Sequence, residues 1–150
     1  MIAPILTVEG LTVTFTTKYG RATAVNQVSF DLHRGEKLGL VGESGSGKSV
    51  TSKSIIRLLQ TPPAHIEGSI KFVDVDLLTL SEKQMQRYRG NHISMIFQEP
   101  MVSLNPLYSI GNQLSEVIKL HSPCSKAECE RRMVDMLRTV GIPSPETRLR

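Results

Sequence analysis

The sequence predicts an α/β fold, in which a phosphate-loop core is opened by an antiparallel β hairpin and followed by the start of an α-helical subdomain. Three observations carry this expectation. The stretch GESGSGKS, Gly42 to Ser49, matches the whole G-x-x-x-x-G-K-[ST] pattern. Alternating apolar residues precede it, as in strands half buried on one face. Capping boxes and helical periodicity follow it.

Taken in order, Leu6 to Phe15 alternates as a strand, Lys18-Tyr19-Gly20 reads as a turn, and Val28, Phe30 and Leu32 alternate again on a second strand. Lys37 to Val41 (KLGLV) is the short apolar run of a buried strand entering the loop. Ser49 to Leu59 reads as the helix leaving it. Thr61-Pro62-Pro63 breaks that helix, Gly68 to Val73 is a further strand, and Ser81 with Gln84 forms a capping box for a helix to about Tyr88. Ile93 to Phe97 (ISMIF) reads as another buried strand. Beyond Pro100 the pattern turns helical, with Ile110 to Leu120 and Ser125 to Val140, the latter opened by Ser125 and Glu128 as a capping box and closed by Gly141 and Pro143. Residues 1–99 are therefore expected to form the nucleotide-binding core and residues 100–150 a helical subdomain.

The loop's residue types are those a polyphosphate needs. Gly42, Gly45 and Gly47, interleaved with Ser44 and Ser46, let the backbone approach an anion and aim successive N–H groups at it. The helix that follows adds its positive N-terminal end, worth about 0.3–1 kcal/mol for a nearby anion and up to ~2 when partly buried. Lys48 is expected to reach the β- and γ-phosphates, and Ser49 to ligate Mg²⁺. Glu43, among these anion-binding groups, is expected to point outward.

Composition excludes several classes. The 150 residues are 39% apolar and 21% charged, ordinary values for one globular domain. The net charge of +4 comes from scattered basic residues, with no run longer than two, so nucleic acid is not an expected partner. Cys124 and Cys129, five apart, fit neither a C-x-x-C metal pair nor a disulfide framework and suit a reducing cytoplasm. Four well-separated histidines offer no metal cluster. The absence of a basic leader and of any long apolar run predicts a chain that neither crosses a membrane nor is exported.

The phosphate loop followed by MIFQEPMVSLNP, Met95 to Pro106, resembles the ATP-binding subunit of an ABC transporter, and that second segment is similar to the peptide and nickel importer group. The resemblance runs over the whole chain and implies a P-loop NTPase core that binds ATP and Mg²⁺. It implies that Gln98 is the glutamine of the Q-loop, touching the Mg²⁺ and attacking-water region. It implies that Tyr19, or Phe15 as the next candidate, stacks on the adenine, and that the Pro100 to Pro106 segment, with Glu99 and Met101 at its rim, helps form a groove for a permease helix. The implied partners are a second ATP-binding domain, transmembrane permease subunits and, indirectly, a periplasmic or extracellular solute-binding protein. The implied location is the cytoplasmic face of the plasma membrane.

The family's LSGGQ-type signature, its apolar strand ending in Asp-Glu and its switch histidine do not occur before Arg150. Phosphoryl transfer depends on placement and charge stabilisation, so these residues alone are expected to bind ATP weakly and hydrolyse it poorly, as the N-terminal part of a longer subunit. Two other readings stay open at this point, a non-catalytic nucleotide-binding fragment and a soluble ABC-type ATPase.

Overall fold

The computed structural model describes residues 3–98 and 103–150. The chain divides into two compact units, Met1–Arg89 and Gly90–Arg150. The boundary expected at Pro100 lies outside the described residues, as do Glu99 and Met101.

In the first unit, β1 (Leu6–Thr17) and β2 (Gly20–Leu32) form the expected hairpin, closed by a two-residue turn at Lys18 and Tyr19. β3 (Ala64–Phe72) pairs antiparallel with the other edge of β1, and the two-residue β4 (Val75–Asp76) completes the order β2-β1-β3-β4. The buried residues of β1 are Leu6 and Val8, then Leu11 and Val13. Strict alternation would put the second pair on the opposite face. Register shifts between Val8 and Leu11, and between Glu9 and Thr12, show a bulge that adds the missing residue and returns both pairs to one side. At this bulge β3 passes so close that a Cβ on Gly68 (φ +103) would lie 2.6 Å from the Glu9 carbonyl oxygen.

Helix α1 (Lys48–Ile55) follows the loop, and α2 (Glu82–Tyr88) opens with the predicted capping box, both reciprocal bonds between Ser81 and Gln84 being present. Ile56, Ile70, Leu77 and Met85 join the β1 residues as the buried core of this unit. The far end of α1 is held by Arg89, whose Nε donates to the Ile56 carbonyl at 2.7 Å and whose second guanidinium nitrogen donates to the Arg57 carbonyl at 2.7 Å. Glu82 orients that guanidinium through an ion pair.

Two expected strands are not there. Residues 37–41 and 93–97 form no strand, and Val41 and Ile96 are each 93% exposed. Apolar content can mark a strand, but a strand exists only where a neighbour takes up its N–H and C=O groups, and no described strand lies beside these segments.

In the second unit, α3 (Ile110–His121) and α4 (Lys126–Thr139) are capped by Ser109 and Ser125, each accepting a backbone N–H; the capping box expected from Ser125 and Glu128 is only half formed, because the Glu128 carboxylate pairs with Arg131 and Arg132 instead of the Ser125 N–H. Helix α4 ends in a Schellman arrangement, with Ile142 N–H donating to the Leu137 carbonyl at 2.9 Å and Gly141 N–H to the Arg138 carbonyl at 3.0 Å. Ile118, Cys129 and Met133 form a small core, flanked by Leu114, Cys124 and Leu149. Among the described residues no helix is long and apolar enough to cross a membrane.

Gly68→Ala is expected to lower stability by at least about 2 kcal/mol, because the added Cβ meets backbone and the residue keeps a positive φ; urea unfolding followed by circular dichroism measures it. The Glu82 carboxyl is held below its ordinary value of 4.5, chiefly by the hydrogen bond from Arg89. Above 4.5 this contribution to stability is complete. It is lost as pH falls through the lowered native value, because there the unfolded chain binds the proton more readily. Glu82→Gln is expected to flatten that part of a melting-temperature curve against pH, and an unchanged curve would show the pair to be energetically silent.

Candidate nucleotide site

The phosphate loop begins at Gly42 and is drawn tight by a hydrogen bond from the Ser46 N–H to the Glu43 carbonyl, 3.2 Å long. It ends at Gly47, the N-cap of α1, with φ 90 and ψ 0. Gly47 is buried against β2, where a Cβ would fall on the Ala24 carbonyl oxygen and stand 3.3 Å from Val25 Cγ2. Only glycine combines this backbone with this approach. The sheet therefore fixes where α1 starts and which way its first N–H groups face.

Those groups lack a protein partner of the usual kind. α2, α3 and α4 are capped by serine side chains, whereas α1 has no side-chain cap and no acidic residue in its first turn. An uncapped helix start beside a glycine-rich loop suits an anion. Thr51 secures the turn from below, its N–H and Oγ1 donating to the Gly47 carbonyl at 2.8 and 3.1 Å.

Lys48 folds back across the loop. Its Nζ donates to the Gly42 carbonyl at 2.7 Å, the Glu43 carbonyl at 2.6 Å and Ser46 Oγ at 3.3 Å. Three acceptors match the three donors of an ammonium group, so the charge is held at the loop with no carboxylate partner among the described residues. Phosphoryl oxygens, as charged acceptors, make stronger bonds than carbonyls and can take them over. Glu43, whose side chain is exposed, contributes through its backbone. Ser44 and Ser49 are exposed, Ser49 in the first turn of α1. Beside the loop lies a cavity of ≈ 330 Å³ bounded by Ala24, Val25, Leu40, Gly42, Ser46 and Lys48. Donor set, helix end and a lysine held by neutral acceptors together fit a triphosphate, with the exposed Ser49 hydroxyl placed to serve a divalent cation.

Tyr19 stands at the hairpin tip, 88% exposed, with the Lys18 ammonium 4.9 Å from its ring centre. The loop rests on β2 at Ala24, several residues along a strand that rises about 3.3 Å per residue, so a ligand touching both must be extended. Gln98 belongs to the second unit; it is exposed and follows a segment that is not a strand. Sequence reasoning did not find the Ala24 floor or the Arg89 clamp on α1. A backbone carbonyl leaves no mark on residue type, and the carbonyls held by Arg89 lie more than thirty residues before it.

With this geometry in view, the sequence pattern of the ABC transporter family matches residues 25–150. The chain belongs to the ABC transporter family. It is similar to the oligopeptide transport ATP-binding protein OppD of Bacillus subtilis, 47% identical over 149 residues, which cover 99% of this chain and 42% of that protein. It is 50% identical over 148 residues to the peptidoglycan transport ATP-binding protein YejF of Agrobacterium fabrum, covering 98% of this chain and 27% of the other. The dipeptide transport ATP-binding protein DppD of Bacillus subtilis is 48% identical over 147 residues, covering 97% and 44%. This ABC chain thus spans less than half the length of these relatives. Its fold is that of the ATP-binding cassette MJ0796, solved as a post-hydrolysis dimer bound to ADP and Pi, with a TM-score of 0.76 at 19% identity over 95% of this chain and 60% of that one.

Gly47→Ala is expected to cost roughly 1–3 kcal/mol through backbone strain and to move the start of α1 away from β2. Gly45→Ala, where an added Cβ meets nothing within 4 Å, should cost only the positive-φ strain of about 1–2 kcal/mol. Comparing the two by chemical denaturation separates the close approach from the dihedral requirement, and equal losses would count against a special role for the Ala24 contact.

Proposed function

We propose that this chain is the ATP-binding part of an importer ATPase that couples ATP binding and hydrolysis to the uptake of peptides or related small solutes. The observation that carries the reading is the phosphate loop, in which Lys48 is held at an uncapped helix start on a floor set by β2. The names of the relatives, which transport oligopeptides, dipeptides or peptidoglycan, support the peptide class of cargo over the soluble-ATPase and non-catalytic readings.

In this reading Gly42, Ser44, Gly45, Ser46 and Gly47 surround the phosphates with backbone N–H groups, and Lys48 exchanges its carbonyl partners for phosphoryl oxygens. Tyr19 stacks on the base. Ser49 and Gln98 hold Mg²⁺, which when bound screens the phosphate charge during phosphoryl transfer. Gln98 also helps place the attacking water. Productive hydrolysis needs, besides these residues, groups that stabilise charge on the far side of the nucleotide, so the chain by itself binds ATP and turns it over poorly. A second ATP-binding domain supplies the opposing face, permease subunits receive the motion, and a solute-binding protein delivers cargo to them. The complex sits at the cytoplasmic face of the membrane.

Lys48→Ala is the test. All three bonds from Nζ lie in an exposed loop, so the variant should melt close to the parent while its ATP affinity falls by roughly 10–150-fold, the worth of a hydrogen bond to a charged group. Calorimetric titration with Mg-ATP gives the affinity. Unchanged affinity would overturn the site assignment.

A further inference from the structure

The start of α4 holds a second concentration of reactive side chains. Ser125 caps the helix, which makes residue 124 the position before the cap and residue 129 the fourth helical position. Those two positions ordinarily bring apolar side chains together as a staple that sets the angle at which the chain enters a helix. Here both are cysteines with free thiols, Cys124 partly exposed and Cys129 buried, packed in the small core of the second unit. Cys124 packs against the cluster that contains Cys129, and the two side chains are neighbours.

We propose that Cys124 and Cys129 form a dithiol–disulfide site, closed by a small-molecule disulfide of the glutathione class and reopened by thiols. The partly exposed Cys124 loses its proton and attacks the oxidant, forming a mixed disulfide and releasing one thiolate. Cys129 then loses its proton and attacks Cys124 Sγ, expelling the second thiolate. Two protein thiols are oxidised to one disulfide, one small disulfide is reduced to two thiols, and the protons released balance the two thiolates. The order follows from burial, which pushes the Cys129 thiol above its ordinary value; the neighbouring Cys124 adds to this, and Lys119 and Arg132 oppose it. Cys129 is therefore the resolving group rather than the first nucleophile. A cavity of ≈ 510 Å³, lined in part by Lys119, Lys126, Cys129, Glu130 and Met133, opens on the Cys129 side of the pair, and its two ammonium groups outnumber its one carboxylate. The closed bond would fix the chain's approach to α4 covalently, in addition to the Ser125 cap.

The experiment treats the folded protein with oxidised glutathione, alkylates the remaining thiols after denaturation, and maps the peptides by mass spectrometry. A peptide joining Cys124 to Cys129, protected from alkylation and released by dithiothreitol, is expected. Cys129→Ser should stop at a glutathione adduct on Cys124, and Cys124→Ser should leave Cys129 reduced. Recovery of both cysteines alkylated in the parent, a stable glutathione adduct on Cys124 without closure, or cross-linking between chains alone would overturn the proposal. The parent protein decides the matter even where a variant does not fold.

Discussion

The contact on which the nucleotide site depends is the approach of Gly47 to the Ala24 carbonyl of β2. It sets the origin and direction of α1, and so the direction of the free N–H groups at its start and the point from which Lys48 leaves the backbone. β2 can offer that floor because it is paired along its length with β1, and β1 can pair on both sides with a consistent buried face because its bulge corrects the side-chain alternation. At the other end, Arg89 holds the Ile56 and Arg57 carbonyls just past the end of α1 and is oriented in turn by Glu82. Sheet, helix and loop thus constrain one another through backbone groups as well as through the buried side chains of the core.

The parts of this arrangement that were legible in the sequence are those governed by local chemistry. The phosphate loop, the hairpin with its turn at Lys18 and Tyr19, the Ser81–Gln84 box and the Ser125 cap are each decided by residues within a few positions of one another, and each is present. Residues 37–41 and 93–97 were misread because apolar composition reports a wish to be buried and not the presence of a neighbour that would satisfy a strand. The bulge in β1 was hidden for a related reason, since a single inserted residue looks like a slight lapse in alternation. The role of Arg89 was invisible because its partners are carbonyls distant in sequence.

The two units differ in how well they enclose apolar surface. The first has a sheet covered by α1, α2 and the Leu77 turn, yet leaves Leu38, Leu40 and Val41 uncovered just ahead of the loop. The second rests on the few residues shared by α3 and α4, and exposes Ile96, Phe97, Leu120 and Val140.

The posture of Lys48 also bears on which ligands the loop can refuse. Because its ammonium already has three acceptors, a ligand gains only the difference between its own oxygens and the carbonyls it displaces. Water and neutral hydroxyls are no better acceptors than a carbonyl and gain almost nothing. On the proposed reading a lone nucleoside would gain little from the lysine, whereas each added phosphate charge would widen the margin. In that reading the three acceptors of Lys48 would set a threshold on ligand charge.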